Sequence, residues 1–143
     1  MISLSMSVGG AADVMKRLRK LPPKVIEEAL DEVAASQETE VAIRFERGHG
    51  PDGVAWAPLR PSTLKRRKSS GPPLTVTGAL GGSITRATHN ISSQVGTNYE
   101  TARYHQDGTS RMKARPFIGW SADGQREAVD VLRARIAREV GVQ

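Results

Sequence analysis

The side chains best suited to chemistry in this sequence are three histidines, His49, His89 and His105. None stands in an H-x-x-x-H or H-E-x-x-H spacing, which would set two imidazoles on one helix face around a metal, and no carboxylate cluster accompanies them. His49 sits among glycines and His89 in an expected turn, where surface histidines are commonplace. His105-Gln106-Asp107 is the nearest approach to a catalytic group. In an extended segment, however, neighbouring side chains point to opposite faces and do not combine into one site. No G-x-S-x-G nucleophile elbow is present. The glycine-rich stretch Gly78-Ala79-Leu80-Gly81-Gly82 lacks the lysine and the strand–loop–helix setting of a phosphate loop. Cysteine is absent, which excludes disulfides and thiolate metal sites. The residues therefore offer no catalytic centre, cofactor site or metal site, and the expectation is a protein that is not an enzyme.

A different chemistry is suggested by Lys65-Arg66-Arg67-Lys68, four consecutive cations in a chain whose formal net charge is +6. Such a run can neutralise phosphates, each contact adding to a salt-dependent affinity, or it can dock on an acidic protein face. No aromatic platform is interleaved with it to stack single-stranded bases, and no helix-turn-helix or zinc-finger pattern surrounds it. A solvated loop is the simpler explanation. Specific nucleic-acid recognition is therefore not expected, while weak, sequence-blind phosphate contact stays open.

The elements that must carry these residues follow from hydrophobic period. Ile2, Leu4, Met6 and Val8 alternate with serines, as in a half-buried strand, and Gly9-Gly10 ends it. A short helix is expected from Ala11 to Lys20 with Val14, Leu18 and Leu21 on one side, stopped by Pro22-Pro23. A long helix then runs through Val25/Ile26, Ala29/Leu30, Val33/Ala34, Gln37, Val41 and Phe45, with acidic residues toward its start and Arg44 and Arg47 near its end, as the helix dipole favours. Gly48 is its natural stop. From His49 to Pro73 the prolines and glycines predict a long loop with one helical turn, Ser62 to Lys68, capped by Ser62 or Thr63. Loops of this length in compact domains usually bind something or stay mobile, and residues 48–73 are expected to be a mobile segment. Two short strands follow, Ser83–Thr88 presenting Ile84 and Ile91–Thr97 presenting Ile91 and Val95, joined by a turn at His89-Asn90. Thr101–Gln106 fits a helix or a strand. Arg115-Pro116-Phe117-Ile118-Gly119-Trp120 reads as a strand that starts at proline and so lies near an edge. Ala122–Val140 reads as a second good helix with Ala128/Val129, Leu132, Ile136 and Val140 as its stripe.

The expected fold class is α+β: a small, mostly antiparallel sheet packed against a long N-terminal helix and a C-terminal helix, with a long central loop. The length of 143 residues suits a single domain spanning 1–143. Apolar residues make up 38% of the chain and aromatics only 4%, a lean core that fits either ordering by partner subunits or a loop-rich monomer. The first residues carry no basic leader, and no run approaches the ~20 apolar residues of a membrane span. A soluble protein made in a cytoplasm is expected.

One ordered set of words carries a family resemblance. Pro51-Asp52-Gly53-x-x-Trp56-x-Pro58-Leu59 is followed by Thr63 and Lys65. Leu74-x-x-Thr77-Gly78-x-Leu80-x-x-Ser83-Ile84 comes next, then Val95-Gly96-Thr97 and Tyr104-His105-Gln106-x-Gly108. Ala114-Arg115-Pro116-Phe117-Ile118-Gly119 closes the set. In this joint order the chain resembles the phage virion morphogenesis, or tail-completion, family of Mu-like phages. The short linker Thr109–Lys113 departs from relatives that carry a longer insertion there.

The resemblance implies a non-enzymatic structural role late in bacteriophage or prophage morphogenesis. Such a protein completes the head-proximal end of the tail so that head and tail join, and it is found in the virion tail or neck after assembly in the host bacterial cytoplasm. It also implies a homo-oligomeric ring, often hexameric, with tail tube, terminator or head-connector proteins as partners, weak DNA contact in a basic lumen, and no membrane. Trp56, Leu59 and Trp120 are expected at subunit or partner interfaces, where large apolar anchors are enriched, although either tryptophan would also serve a protomer's own core. Arg115, Pro116 and Phe117 are expected to offer an edge strand to a neighbour. Lys65, Arg66, Arg67 and Lys68 would contact phosphate or an acidic partner from a docking loop, Trp56–Lys68, carried by the sheet of Thr77–Gly119. The alternative is a basic nucleic-acid-binding accessory protein.

Overall fold

The computed structural model describes residues 2–3, 11–68 and 70–141. Of the alternating N-terminal stretch, Ile2–Ser3 forms strand β1; Leu4, Met6, Val8 and Gly9-Gly10 lie outside the described residues. Helix α1 covers Ala11–Leu18 and buries Val14 and Leu18, slightly shorter than expected. Pro22 precedes α2, Pro23–Arg47, in which Pro23 takes the first helical position, where its missing N–H costs nothing. Gly48 closes α2 in the left-handed conformation at φ 71°, returning its N–H to the Arg44 carbonyl at 2.7 Å. At about 1.5 Å per residue α2 is ~37 Å long, enough to serve two cores.

Its N-terminal half gives Ile26, Ala29, Leu30 and Val33 to a helical cluster with α1 and with helix α6, Ala122–Val140. Its C-terminal half gives Ala34, Val41 and Phe45 to a second cluster, beneath a small antiparallel sheet. That sheet has the order β1-β3-β2, with β2 at Thr85–His89 and β3 at Ser92–Thr97. Arg86 pairs with Val95 and Thr88 with Ser93, so these four share one face. Val95 enters the core, while Arg86 forms ion pairs with Asp31 and Glu38 of α2, and Thr88 reaches Asp31 at 3.1 Å. The α+β architecture and both long helices are as the sequence predicts.

The differences are local. The turn of the hairpin is Asn90-Ile91, one residue later than predicted, because Asn90 accepts the left-handed φ of 53° and His89 pairs with Ser92. Ile91 is consequently exposed rather than inward-facing. The helical turn in the loop is α3, Pro61–Arg66, opened by Pro61 after Arg60, with no side-chain cap from Ser62 or Thr63. Helix α4, Ala79–Gly82, fills the space before β2, and Phe45 closes over its Gly81. Thr101–Gln106 resolves to helix, α5 at Ala102–Asp107. Helix α6 is capped by Ser121, whose hydroxyl accepts the Gly124 N–H at 2.9 Å. Its stripe is buried through Leu132, half-buried at Ile136 and exposed at Val140. Among the described residues no helix is long and apolar enough to cross a membrane.

Residues 115–120 form no strand, contrary to the sequence expectation. The reason lies in who takes their backbone groups. The Arg44 guanidinium donates to the carbonyls of Phe117 and Gly119 at 2.9 and 2.8 Å. The Gln106 side chain accepts the Phe117 and Ile118 N–H groups and donates to the Ile118 carbonyl. The Trp56 indole donates to Pro116 O at 2.7 Å, and proline has no N–H to offer. Side chains have occupied the positions that a neighbouring strand would need.

Candidate functional site

The ordered words of the sequence meet in space. The turn Gly50–Val54 closes through Gly50 N–H to Val54 O at 2.9 Å, with Asp52 accepting the Val54 N–H and Gly53 at φ 77°. This turn lies against 116–119 so closely that a Cβ on Gly119 would stand 2.7 Å from Pro51 Cγ. Trp56 follows it into the core, where it meets Phe45 edge-on at 5.6 Å between ring centres, and Phe117 packs on the other part of Phe45 at 5.3 Å. Arg115 lies alongside, donating to the carbonyls of Ala57 and Pro58 at 2.8 and 3.1 Å. The Pro51–Trp56 and Arg115–Gly119 words are thus two halves of one joint. The middle words also have structural work: Thr77 accepts the Ala79 N–H, and Ser83 bonds both Leu80 O and the buried Thr97 hydroxyl.

Among the expected interface residues, Trp56 and Phe117 are buried within the protomer and present almost no surface. Arg115 is also buried, Trp120 is half-buried against the helical cluster, Leu59 is half-buried, and Pro116 is exposed. Lys65, Arg66 and Lys68 are exposed on and after α3. Arg67 turns inward and donates to Pro72 O and the Thr75 hydroxyl at 2.9 and 3.0 Å. The four consecutive cations therefore do not form one continuous face.

Beside the joint opens a cleft of about 970 Å³. One wall is the start of the loop, Pro58 to Thr63, and the opposite wall is the linker Thr109–Lys113 with Arg115. Arg60 bridges the walls at one point, donating to Arg111 O at 3.2 Å. Leu74, Val76, Leu80 and Tyr99 form the apolar lining; Val76 is 58% exposed and Tyr99 41%. Arg60, Arg111, Lys113 and Arg115 supply positive charge, and the lining contains no carboxylate. Among the described residues, none of these four cations forms an ion pair. A concave wall with one sign of charge concentrates its field and attracts anionic partners.

His105 also lines this cleft, with Nδ1 buried and lacking a hydrogen-bond partner. Burial holds its pKa below the usual imidazole value, and the nearby Arg115 lowers it further. Burial likewise lowers Arg115 itself. No three metal-ligating side chains converge among the described residues. The arrangement can bind an anion and bury an apolar group beside it. Sequence reasoning missed the cleft because its cations are dispersed over 60–115 and become neighbours only when the loop and the linker fold onto α5. The one available signal is the short linker Thr109–Lys113, which carries Arg111 and Lys113.

The phage virion morphogenesis family model matches residues 7–137. No curated protein and no solved structure matches the chain at a significant level.

Proposed function

The chain belongs to the phage virion morphogenesis family, and on that premise we propose that it completes the head-proximal end of the tail and enables head and tail to join. In this reading it is a structural protein, not an enzyme, that works as a ring of identical copies in the tail or neck. Its partners are tail tube, terminator or head-connector proteins. The observation that carries the reading is the match over nearly the whole chain. The geometry supports it: the family's words build a rigid joint rather than a reactive centre, and the open cleft beside them is equipped for contact.

Deleting the gene is expected to leave filled heads and separate tails in electron micrographs of the lysate. Joined, infectious particles from the deletion strain would overturn the reading. The exposed Lys65, Arg66 and Lys68 favour a second reading, a basic accessory protein that binds nucleic acid. A salt titration separates the two, since sequence-blind phosphate contact fades steeply between low and physiological salt.

A further inference from the structure

We propose that the cleft between the loop 58–63 and the linker 109–115 takes an extended acidic segment of a partner protein, with aliphatic side chains set between its carboxylates. The charge argument is direct. Arg60, Arg111, Lys113 and Arg115 face a common space without a carboxylate in the lining. Cations that the fold does not pair are free to pair with a ligand, and Coulomb attraction strengthens as water leaves a cleft. Arg115 is held in place by its bonds to Ala57 O and Pro58 O, so its charge is positioned before any partner arrives. Such pre-organisation reduces the ordering cost of binding.

The apolar lining selects the partner class. Val76 and Tyr99 are exposed at 58% and 41%, and Leu74 and Leu80 lie deeper in the same cleft. Tyr99 alone offers a nucleobase a stacking face, and a nucleic-acid backbone would leave the aliphatic Leu74, Val76 and Leu80 uncovered. A peptide alternating acidic and aliphatic residues satisfies both: one side of an extended chain meets the cations, and the other enters the apolar lining. The volume of about 970 Å³ is at the upper end of ligand clefts, which run ~300–1,000 Å³, and suits a short segment rather than a folded domain.

This inference rests on the structural-assembly reading only for the source of the segment, a neighbouring virion protein. The test uses the full-length chain and a fluorescein-labelled ten-residue peptide of alternating glutamate and leucine, followed by fluorescence anisotropy. Saturable binding is expected, weakening with added salt as screening requires. Replacing the peptide's glutamates by glutamine, or its leucines by serine, should each weaken it by about tenfold or more, ~1.4 kcal/mol. Lys113→Glu and, separately, Arg111→Glu should do the same with unchanged melting temperatures. Val76→Ser should weaken the leucine peptide and leave the serine peptide unaffected. Equal binding of the glutamine peptide, or indifference to both charge reversals, would overturn the proposal. So would a single-stranded oligonucleotide of equal charge that binds more tightly and displaces the peptide. Gene deletion tests the role in head–tail joining separately, so failure of one reading is not mistaken for failure of the other.

Discussion

Arg44 near the end of α2 holds the carbonyl of Phe117, 73 residues away, through a 2.9 Å hydrogen bond, and Phe117 in turn packs on Phe45, the next residue of the same helix. The same Arg44 nitrogen donates to Gly119 O, and the guanidinium pairs with Glu40 at 3.0 Å. Glu40 accepts from the Ser121 hydroxyl, which caps α6. A polar chain therefore runs from the start of α6 through α2 to the segment 117–119, between the two hydrophobic clusters.

Arg44 has a side chain only 1% exposed, so removing it takes the donor from two carbonyls and the cation from Glu40, which keeps its bond from Ser121. Arg44→Met is expected to lower the unfolding free energy by about 3–5 kcal/mol, the usual consequence of breaking a buried charged network. Urea denaturation followed by circular dichroism measures it. A loss below about 1 kcal/mol would mean that the network contributes little, as for a surface ion pair.

Gln106 satisfies three backbone groups of 117–118 with one amide. Gln106→Leu keeps the volume and loses all three bonds, with an expected cost of about 1–3 kcal/mol for each group left buried without a partner. Amide hydrogen exchange at Phe117 and Ile118 should accelerate sharply. Unchanged protection at both amides would show that another partner holds them.

Gly119 and Gly53 give a paired test of the joint. Gly119→Ala would force Cβ to 2.7 Å from the Pro51 ring, and overpacking against a rigid ring should cost about 1–3 kcal/mol. Gly53 has open space around its Cβ position, so Gly53→Ala should cost only the left-handed backbone strain, about 1–2 kcal/mol. The distinguishing readout is Trp56 fluorescence in a Trp120→Phe background, which removes the other tryptophan: Gly119→Ala should shift it toward the exposed emission at temperatures below the melting transition, and Gly53→Ala should not.

His105 gives a pH dependence. Burial and then Arg115 depress its folded pKa below the unfolded value of 6.5, so the unfolded chain binds the proton more readily. Above that unfolded value both states are neutral and its contribution is fully present. As pH falls below it, the unfolded state gains a proton first, and stability is lost down through the folded pKa. Denaturation at pH 7.5 and 5.5 should therefore show a larger loss for the parent chain than for His105→Gln, and nuclear magnetic resonance titration of the His105 ring should report a midpoint below 6.5. A midpoint at or above that value would reverse the sign.

Short-range signals were legible and long-range ones were not. The bounds of α6 follow from Ser121, the apolar stripe and Gly141, all within the helix and its caps. The end of α2 at Gly48 follows from the same local logic. Arg115–Trp120 misled because proline, phenylalanine and isoleucine in succession suit a strand, yet whether such a segment joins a sheet depends on what lies opposite. Here that is Arg44, Trp56 and Gln106, two of which come from more than fifty residues away. His105-Gln106-Asp107 misled for the opposite reason: taken as extended it separates its side chains, whereas as α5 it points Gln106 inward at 117–118 while His105 lines the cleft.

The sequence by itself determined the two long helices, the hairpin, the α+β class and the family, because periodicity, caps and ordered words are properties of the chain read in line. Tertiary structure alone decided that Trp56 and Phe117 close on Phe45, that 115–120 is gripped by side chains instead of strands, and that dispersed cations share one cleft. Each of these depends on which distant groups satisfy a buried backbone or leave a charge unpaired, and no local pattern encodes that choice.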